Sequence, residues 1–286
     1  AVQEGISMTQ VSIRKGRRMS TARCYLDPVK SRPNLTIVTG AHTDGLIIED
    51  KQCKGVRFTV EGSQKEARVG HEVIVSAGSV NSPQILELSG IGQPELLKRH
   101  GVEVCHALPG VGENLRDHFA PRMKYEITAS GQTYNDKMRG IGTVFQALRY
   151  AMTGTGLLGL PASPLRAYVR SRDGLASPDI SIGFVPFLVA EGFKLAKESG
   201  ITAITHPLRS ESIGSIHIGS PDSKSPPKIN FNFLTAEYDR QITLAAMDIV
   251  RRIMAAAPMA SMRGAEIAPG PALQNNEELL NWVRET

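Results

Sequence analysis

Cysteine is scarce: Cys24, Cys53 and Cys105 are the three in 286 residues, odd in number, far apart and without a Cys-x-x-Cys pair. That argues against a disulfide framework and a zinc site, and it fits a reducing, cytoplasmic compartment. Long apolar runs are missing as well. No stretch approaches the about 18 residues that a membrane span needs, and the opening residues do not read as a signal peptide. No G-x-S-x-G occurs, which sets aside a hydrolase built on a serine elbow. No His, Cys and carboxylate cluster shows metal-ligand spacing. Charge of one sign does not dominate either, since 33 basic residues against 28 acidic leave only +5, scattered along the chain. The densest basic patch, Arg14-Lys15-Gly16-Arg17-Arg18, reads as a solvated face rather than a nucleic-acid site.

What is present is enough apolar material for a sizeable core: 41% of the residues are hydrophobic, and the length suggests about two domains. AVQEGISMTQVSI begins as if a strand were already under way, and EELLNWVRET stops inside a helical pattern with no C-cap glycine. The expectation is therefore a portion of a longer polypeptide. QVSI (10–13) reads as a strand and GRRMSTARCYLDPV as a loop into a short helix. Between Asn34 and Ser76, NLTIVTG, LIIED, CKGVRFTV, QKEARVG and EVIVSAG are five short β-branched segments separated by Gly, Asp and Lys turns. The middle three predict an antiparallel meander and the last a buried strand. Ser82-Pro83 predicts a helix start and Ser89-Gly90 its stop. TAEYDRQITLAAMDIVRRIMAAA predicts a long helix with Ile242, Ala246, Ile249, Ile253 and Met254 on one core-facing side.

Ser76-Ala77-Gly78-Ser79 stands between the predicted buried strand and the predicted helix. Small residues there let a ligand reach main-chain N–H groups at a helix N-terminus, where anionic groups are favoured. A tight connection that needs small residues only for packing is the alternative.

Residues 78–92, read as G-S-x-N-S-P-x-x-[IL]-x-x-S-G-I-G, resemble the second signature of the glucose/methanol/choline (GMC) family of flavin-dependent alcohol oxidoreductases. GRRMSTARCYL (16–26), NLTIVTGAHTDGLI (34–47), LPGVGENLRDH (108–118), PDISIGFVP (178–186) and SPPKINFNFLTAEYDRQ (225–241) are similar to the family in register. The resemblance implies an α+β fold: a partial Rossmann-like FAD domain of β-meander and strand-turn-helix, plus a substrate domain with an antiparallel sheet flanked by helices. It places residues 1–33 in a connecting or substrate-domain segment, 34–117 in the middle of the FAD domain and 118–286 in the substrate domain. It implies hydride transfer from a small alcohol, with choline or another primary alcohol as one possible substrate, to N5 of FAD.

By the same resemblance, Thr43 falls where a main chain faces the adenine, and Ser76, Ala77 and Gly78 where backbone approaches the adenosine and pyrophosphate. Asn114, Asp117 and His118 lie in the segment that runs close to the flavin. His206, in THPLRS, is similar to a pocket-facing histidine of some choline-type members, an exposed strand-end histidine being the other reading.

Two family hallmarks have no counterpart. The first is the N-terminal strand followed by G-x-G-x-x-G. Gly154-Thr155-Gly156-Leu157-Leu158-Gly159 matches it literally, but it follows the helical pattern VFQALRYAM and precedes LPASP, whose prolines cannot open a long helix, so it reads as a loop. The second is the stretch with the catalytic histidine, which is expected beyond Thr286, so no catalytic residue is assigned in this chain. With the glycine loop missing, what remains offers a few hydrogen bonds of about 1 kcal/mol each against an association cost of several kcal/mol. The 286 residues alone are expected to be inactive and to hold FAD poorly, and uncovered faces are expected to favour a homodimer. A non-catalytic binding or scaffold protein derived from the substrate domain is the competing reading.

Overall fold

The computed structural model describes residues 3–190, 192 and 194–286, so the first two residues of the expected opening strand lie outside the described residues. In chain order it runs Gly5–Met8 (β1), a hairpin of Ile13–Arg14 (β2) and Arg17–Arg18 (β3), then His42–Glu49 (β4), Gln52–Val60 (β5) and Ser63–Arg68 (β6). Next come helix Gly78–Leu88 (α1), Ile91–Gly92 (β7), helix Pro94–Arg99 (α2), His106–Ala107 (β8) and Arg122–Ile127 (β9). Helices Tyr134–Lys137 (α3) and Ile141–Thr153 (α4) precede strands Leu165–Val169 (β10), Ile180–Val185 (β11), Gly200–Pro207 (β12), Ser215–His217 (β13) and Lys228–Asn230 (β14). Glu237–Ala255 (α5), Ala257–Ala260 (α6), Arg263–Ala268 (β15) and Asn276–Glu285 (α7) complete the chain.

The chain divides into two compact units, one of residues 1–29, 118–211 and 234–286, the other of 30–117 and 212–233. The first unit is built on a six-stranded sheet in the order β1-β10-β11-β12-β9-β15, antiparallel throughout. Strands β9 and β15 alternate in burial, whereas β11 is buried along almost its whole length. Met123, Tyr125, Ile127, Ile182 and Ala203 are buried, and with them Ile242, Ala246, Met247, Val250 and Met254 of α5. The predicted helical spacing is thus the real one, with Ile253 at the margin rather than in the core. Each such fully buried aliphatic side chain stabilises by about 1.5–3 kcal/mol, which is what turns a sequence of modest average hydropathy into a fixed helix. Arg251 of α5 pairs with Glu266 of β15 at 2.8 Å, and Tyr125 donates to the same carboxylate at 3.1 Å, so these three polar groups satisfy one another.

The second unit carries the predicted meander, β4-β5-β6, with register running from His42 opposite Thr59 to Val60 opposite Ser63. Leu96, Leu97 and Ile218 form a small core with Leu88, Val102 and Val104 packed around it. Helix α1 ends as read from the sequence: Ser89 caps it, its hydroxyl donating to the Ile85 carbonyl and accepting from the Leu46 amide at 2.8 Å. Gly90 follows at φ +79, where a Cβ would stand 2.3 Å from the Glu103 carbonyl oxygen.

The start of that helix differs from expectation. It begins at Gly78, not Ser82, and Pro83 lies inside it. The Ser82 hydroxyl instead accepts from the Ala77 amide at 3.1 Å, bracing the first turn. Residues 72–75 form no strand either: the segment is irregular and Ile74 is 77% exposed. A strand needs a hydrogen-bonding neighbour, and among the described residues none runs beside it, so its apolar alternation has no ladder to enter. NLTIVTG likewise forms no strand, and QVSI contributes only Ile13 to one. Among the described residues, no helix is long and apolar enough to cross a membrane, and no group of three or more His, Cys, Asp or Glu is placed to hold a metal.

Candidate functional site

In the second unit the small-residue turn is open. Ser76, Ala77, Gly78 and Ser79 are all exposed, and Gly78 sits at φ +85 with nothing within 4 Å of where a Cβ would be. The N-terminus of an eleven-residue helix thus emerges from an uncovered run of small residues. Its first-turn amides lack intrahelical partners, which suits the anionic and polar atoms of a nucleotide. Thr43 lies half-buried near the start of β4, next to a bulge between Thr43 and Gly45. Its two neighbours are tied down. His42 and Asp44 both bond Ser223, the imidazole at 3.1 Å and the carboxylate at 3.0 Å, and Asp44 also accepts from Thr59 at 2.7 Å. Burial would raise the Asp44 carboxyl, but the Thr59 and Ser223 hydrogen bonds and the charge of His42 outweigh it and hold it below the usual carboxylate range. Asn114 is exposed and left-handed at φ +61, a conformation that asparagine tolerates better than most residues.

Behind α1 stands a cluster that spacing alone did not reveal. Glu87 is fully buried, and its two oxygens meet the His217 Nδ1 and the Ile218 amide, each at 2.7 Å. The other ring nitrogen of His217 faces Glu113 at 3.1 Å, and Gln93 donates to that same Glu113 oxygen at 2.6 Å. Gly112 passes so close that a Cβ would lie 2.6 Å from His217 Nδ1. The cluster fastens α1 to β13 and thereby fixes where the helix points.

In the first unit, His118 and His206 meet. Their rings stack with centroids 4.2 Å apart and an interplanar angle of 20°. His118 Nε2 lies 3.4 Å from the Leu208 carbonyl and His206 Nδ1 3.1 Å from that of Pro207. Burial, reinforced by the positive charges of His118 and Arg166, pushes the His206 imidazole below its ordinary value, against the opposing Pro207 hydrogen bond. Cross-strand pairing sets Tyr168, Ser181 and His206 in one row across β10, β11 and β12. The Ser181 hydroxyl is fully buried and has no hydrogen-bond partner among the described residues. A hydroxyl so placed costs about 1–3 kcal/mol until something bonds it. Sequence reading named His206 but not Ser181, whose type is ordinary in a strand.

Residues 2–120 match the N-terminal GMC oxidoreductase family model and residues 210–286 the C-terminal one. The chain is 39% identical over 291 residues to the oxygen-dependent choline dehydrogenase of Chromohalobacter salexigens, covering 99% of this chain and 51% of that protein. It is 38% identical over 290 residues to its counterpart from Pectobacterium atrosepticum, with the same coverage of 99% and 51%. In fold it is similar to a formate oxidase of Aspergillus oryzae, with a TM-score of 0.89 at 23% identity over 99% of this chain and 54% of that one. The chain belongs to the GMC oxidoreductase family. It spans about half the length of the curated relatives it matches.

Proposed function

We propose that this polypeptide contributes the central part of an FAD-dependent alcohol oxidoreductase acting on a small primary alcohol, choline being one candidate. The observation that carries the reading is the open Ser76-Ala77-Gly78 turn at the head of α1, within a chain that matches both family models. The names of the relatives support the substrate class: they are choline dehydrogenases.

The residues present fit a nucleotide cofactor in part. Backbone at Ser76, Ala77 and Gly78 would bond the adenosine and pyrophosphate, the main chain at Thr43 would face the adenine, and Asn114, Asp117 and His118 would border the flavin. FAD, when bound, supplies the hydride acceptor. The chain's own task is to hold and orient. The Glu87–His217–Glu113 cluster keeps the α1 N-terminus aimed, and the Asp44–Ser223–His42 bonds keep the β4 backbone at Thr43 in place. His206, favoured in its neutral form by burial, and the unpaired Ser181 hydroxyl would hydrogen-bond the alcohol oxygen. No histidine of this chain is assigned as the proton acceptor for the alcohol.

Residues 1–286 carry no glycine loop for the diphosphate, so on their own they are proposed to bind FAD poorly and to turn over no alcohol. The test has two arms. The full-length gene product should be yellow, and its flavin bands should bleach anaerobically with a primary alcohol; residues 1–286 incubated with FAD and desalted should be colourless. A full-length protein without flavin, or with flavin that no primary alcohol reduces, overturns the reading and favours a non-catalytic role.

A further inference from the structure

The oxidoreductase reading makes no use of α4, of the basic run at residues 14–18 or of the Gly154–Gly159 loop, and these three adjoin. Helix α4 is amphipathic in reverse. Ile141, Val144, Phe145, Leu148 and Met152 are all exposed, Ile141 at 86% and Met152 at 77%. At about 100° per residue they form one stripe spanning roughly a third of the helix. The opposite side carries Gln146, which is buried, and Tyr150, whose hydroxyl donates to the Gly16 carbonyl at 2.9 Å. So the polar side is anchored to the protein and the apolar side is left outward. Leu158 and Leu160, also exposed, continue apolar surface past the helix end. A contiguous patch of this kind is unusual on a surface that meets only water.

The charge around the stripe has one sign. Between residues 137 and 153 there is no Asp or Glu, while Lys137, Arg139 and Arg149 are basic and exposed. The β2–β3 hairpin brings more. Its tip is pressed against the end of α4, where a Cβ on Gly16 would lie 2.2 Å from the Gly154 carbonyl oxygen, so Arg14, Lys15, Arg17 and Arg18 stand exposed beside the helix C-terminus. The acidic residue just before the region, Asp136, is occupied by hydrogen bonds from Thr133 and Ser199. Bonds from Ser199 and Thr133 hold its carboxyl low against the opposing effect of burial, so it stays ionised, a single negative charge at the N-terminal end of the stripe.

An apolar stripe of aromatic and aliphatic side chains with no acidic residue of its own, flanked by exposed cations, is what an interfacial helix presents to a bilayer of anionic lipid. We propose that α4 and the β2–β3 hairpin form a peripheral docking surface for an anionic phospholipid membrane. The stripe enters the headgroup region and the seven cations Lys137, Arg139, Arg149, Arg14, Lys15, Arg17 and Arg18 contact lipid phosphates. The charge alone would also suit nucleic acid, but the apolar stripe has no role there. The Gly154-x-Gly156 loop, with both glycines at positive φ, serves to turn the chain back so that the hairpin can seat on it.

The test is co-sedimentation of the full-length protein with vesicles of phosphatidylcholine alone or mixed with phosphatidylglycerol. Binding should be at least about tenfold stronger to the mixed vesicles, and the Phe145→Glu/Leu148→Glu pair should weaken it at least about tenfold. Lys15→Glu/Arg17→Glu should abolish the preference for phosphatidylglycerol while leaving the fold, followed by circular dichroism, unchanged. No binding to either vesicle means that other polypeptide covers the stripe, and overturns the proposal. Binding that the Phe145/Leu148 pair leaves intact, or retention of duplex DNA or RNA in place of vesicles, overturns it equally.

Discussion

Removing the imidazole of His217 should be among the most damaging single changes in the second unit. Glu87 is fully buried, and one of its two oxygens depends on His217 at 2.7 Å while the other keeps the Ile218 amide. In His217→Ala the carboxylate would stay behind with half its partners. Leaving a buried charged acceptor unpaired costs several kcal/mol, and the ring packed against Gly112 is lost too, so a destabilisation of about 3–4 kcal/mol is expected. Glu113, the other neighbour of the ring, is 39% exposed, so Glu113→Ala should cost under about 1 kcal/mol. Glu87→Leu/His217→Leu, which removes the charge together with its partner, should recover most of the loss. Urea unfolding followed by far-ultraviolet circular dichroism measures all three. Trp282, the one tryptophan, lies on α7 in the first unit and reports whether the damage stays local. If His217→Ala proves no worse than Glu113→Ala, the cluster does not hold α1 and the argument from it fails.

Three further outcomes follow from the geometry. The folded-state value of His206 lies below its ordinary one, so the native protein binds fewer protons there than the unfolded chain; stability should fall as pH drops through about 6.5, and His206→Gln should flatten that part of a pH–stability curve. Asp44 is also depressed, so its contribution is present above about pH 4 and lost below, a separate acid limb that Asp44→Asn should remove. Gly214→Ala would put a Cβ 1.9 Å from the Asn230 carbonyl oxygen, backbone that cannot move aside, and should destabilise by more than about 3 kcal/mol in the same urea assay.

Local patterns were legible wherever the partner was close in sequence. The meander from His42 to Arg68, the core stripe of α5 and the Ser89-Gly90 stop all follow from period, turn residues and caps within a few positions. Val73 and Val75 misled because β-branched alternation says nothing about whether a neighbouring strand exists. Pro83 misled because a proline favours a helix's first turn, yet here Ser82 braces a turn that had begun four residues earlier. Of the candidate site, only the small-residue composition of the Ser76–Gly78 turn and the strand position of His206 were readable from residue type and order. Glu87 with His217, and His42 with Ser223, were not, because 130 and 181 residues separate them and nothing local marks the pairing. A carboxylate amid the apolar residues of ILELSGIG was the one hint that a distant partner had to exist.

The backbone passes between the two units four times, at 29/30, 117/118, 211/212 and 233/234. Strand β9 pairs with β12 and with β15, so it has neither neighbour until long after it is made. A ribosome must therefore deliver residues through 233 before the second body can close and through 268 before the sheet of the first is complete, and the apolar side of strands such as Arg122–Ile127 waits uncovered meanwhile. No single cut in the gene frees one body intact, and yield on expression should depend on chaperone supply more steeply than the native contacts alone would suggest.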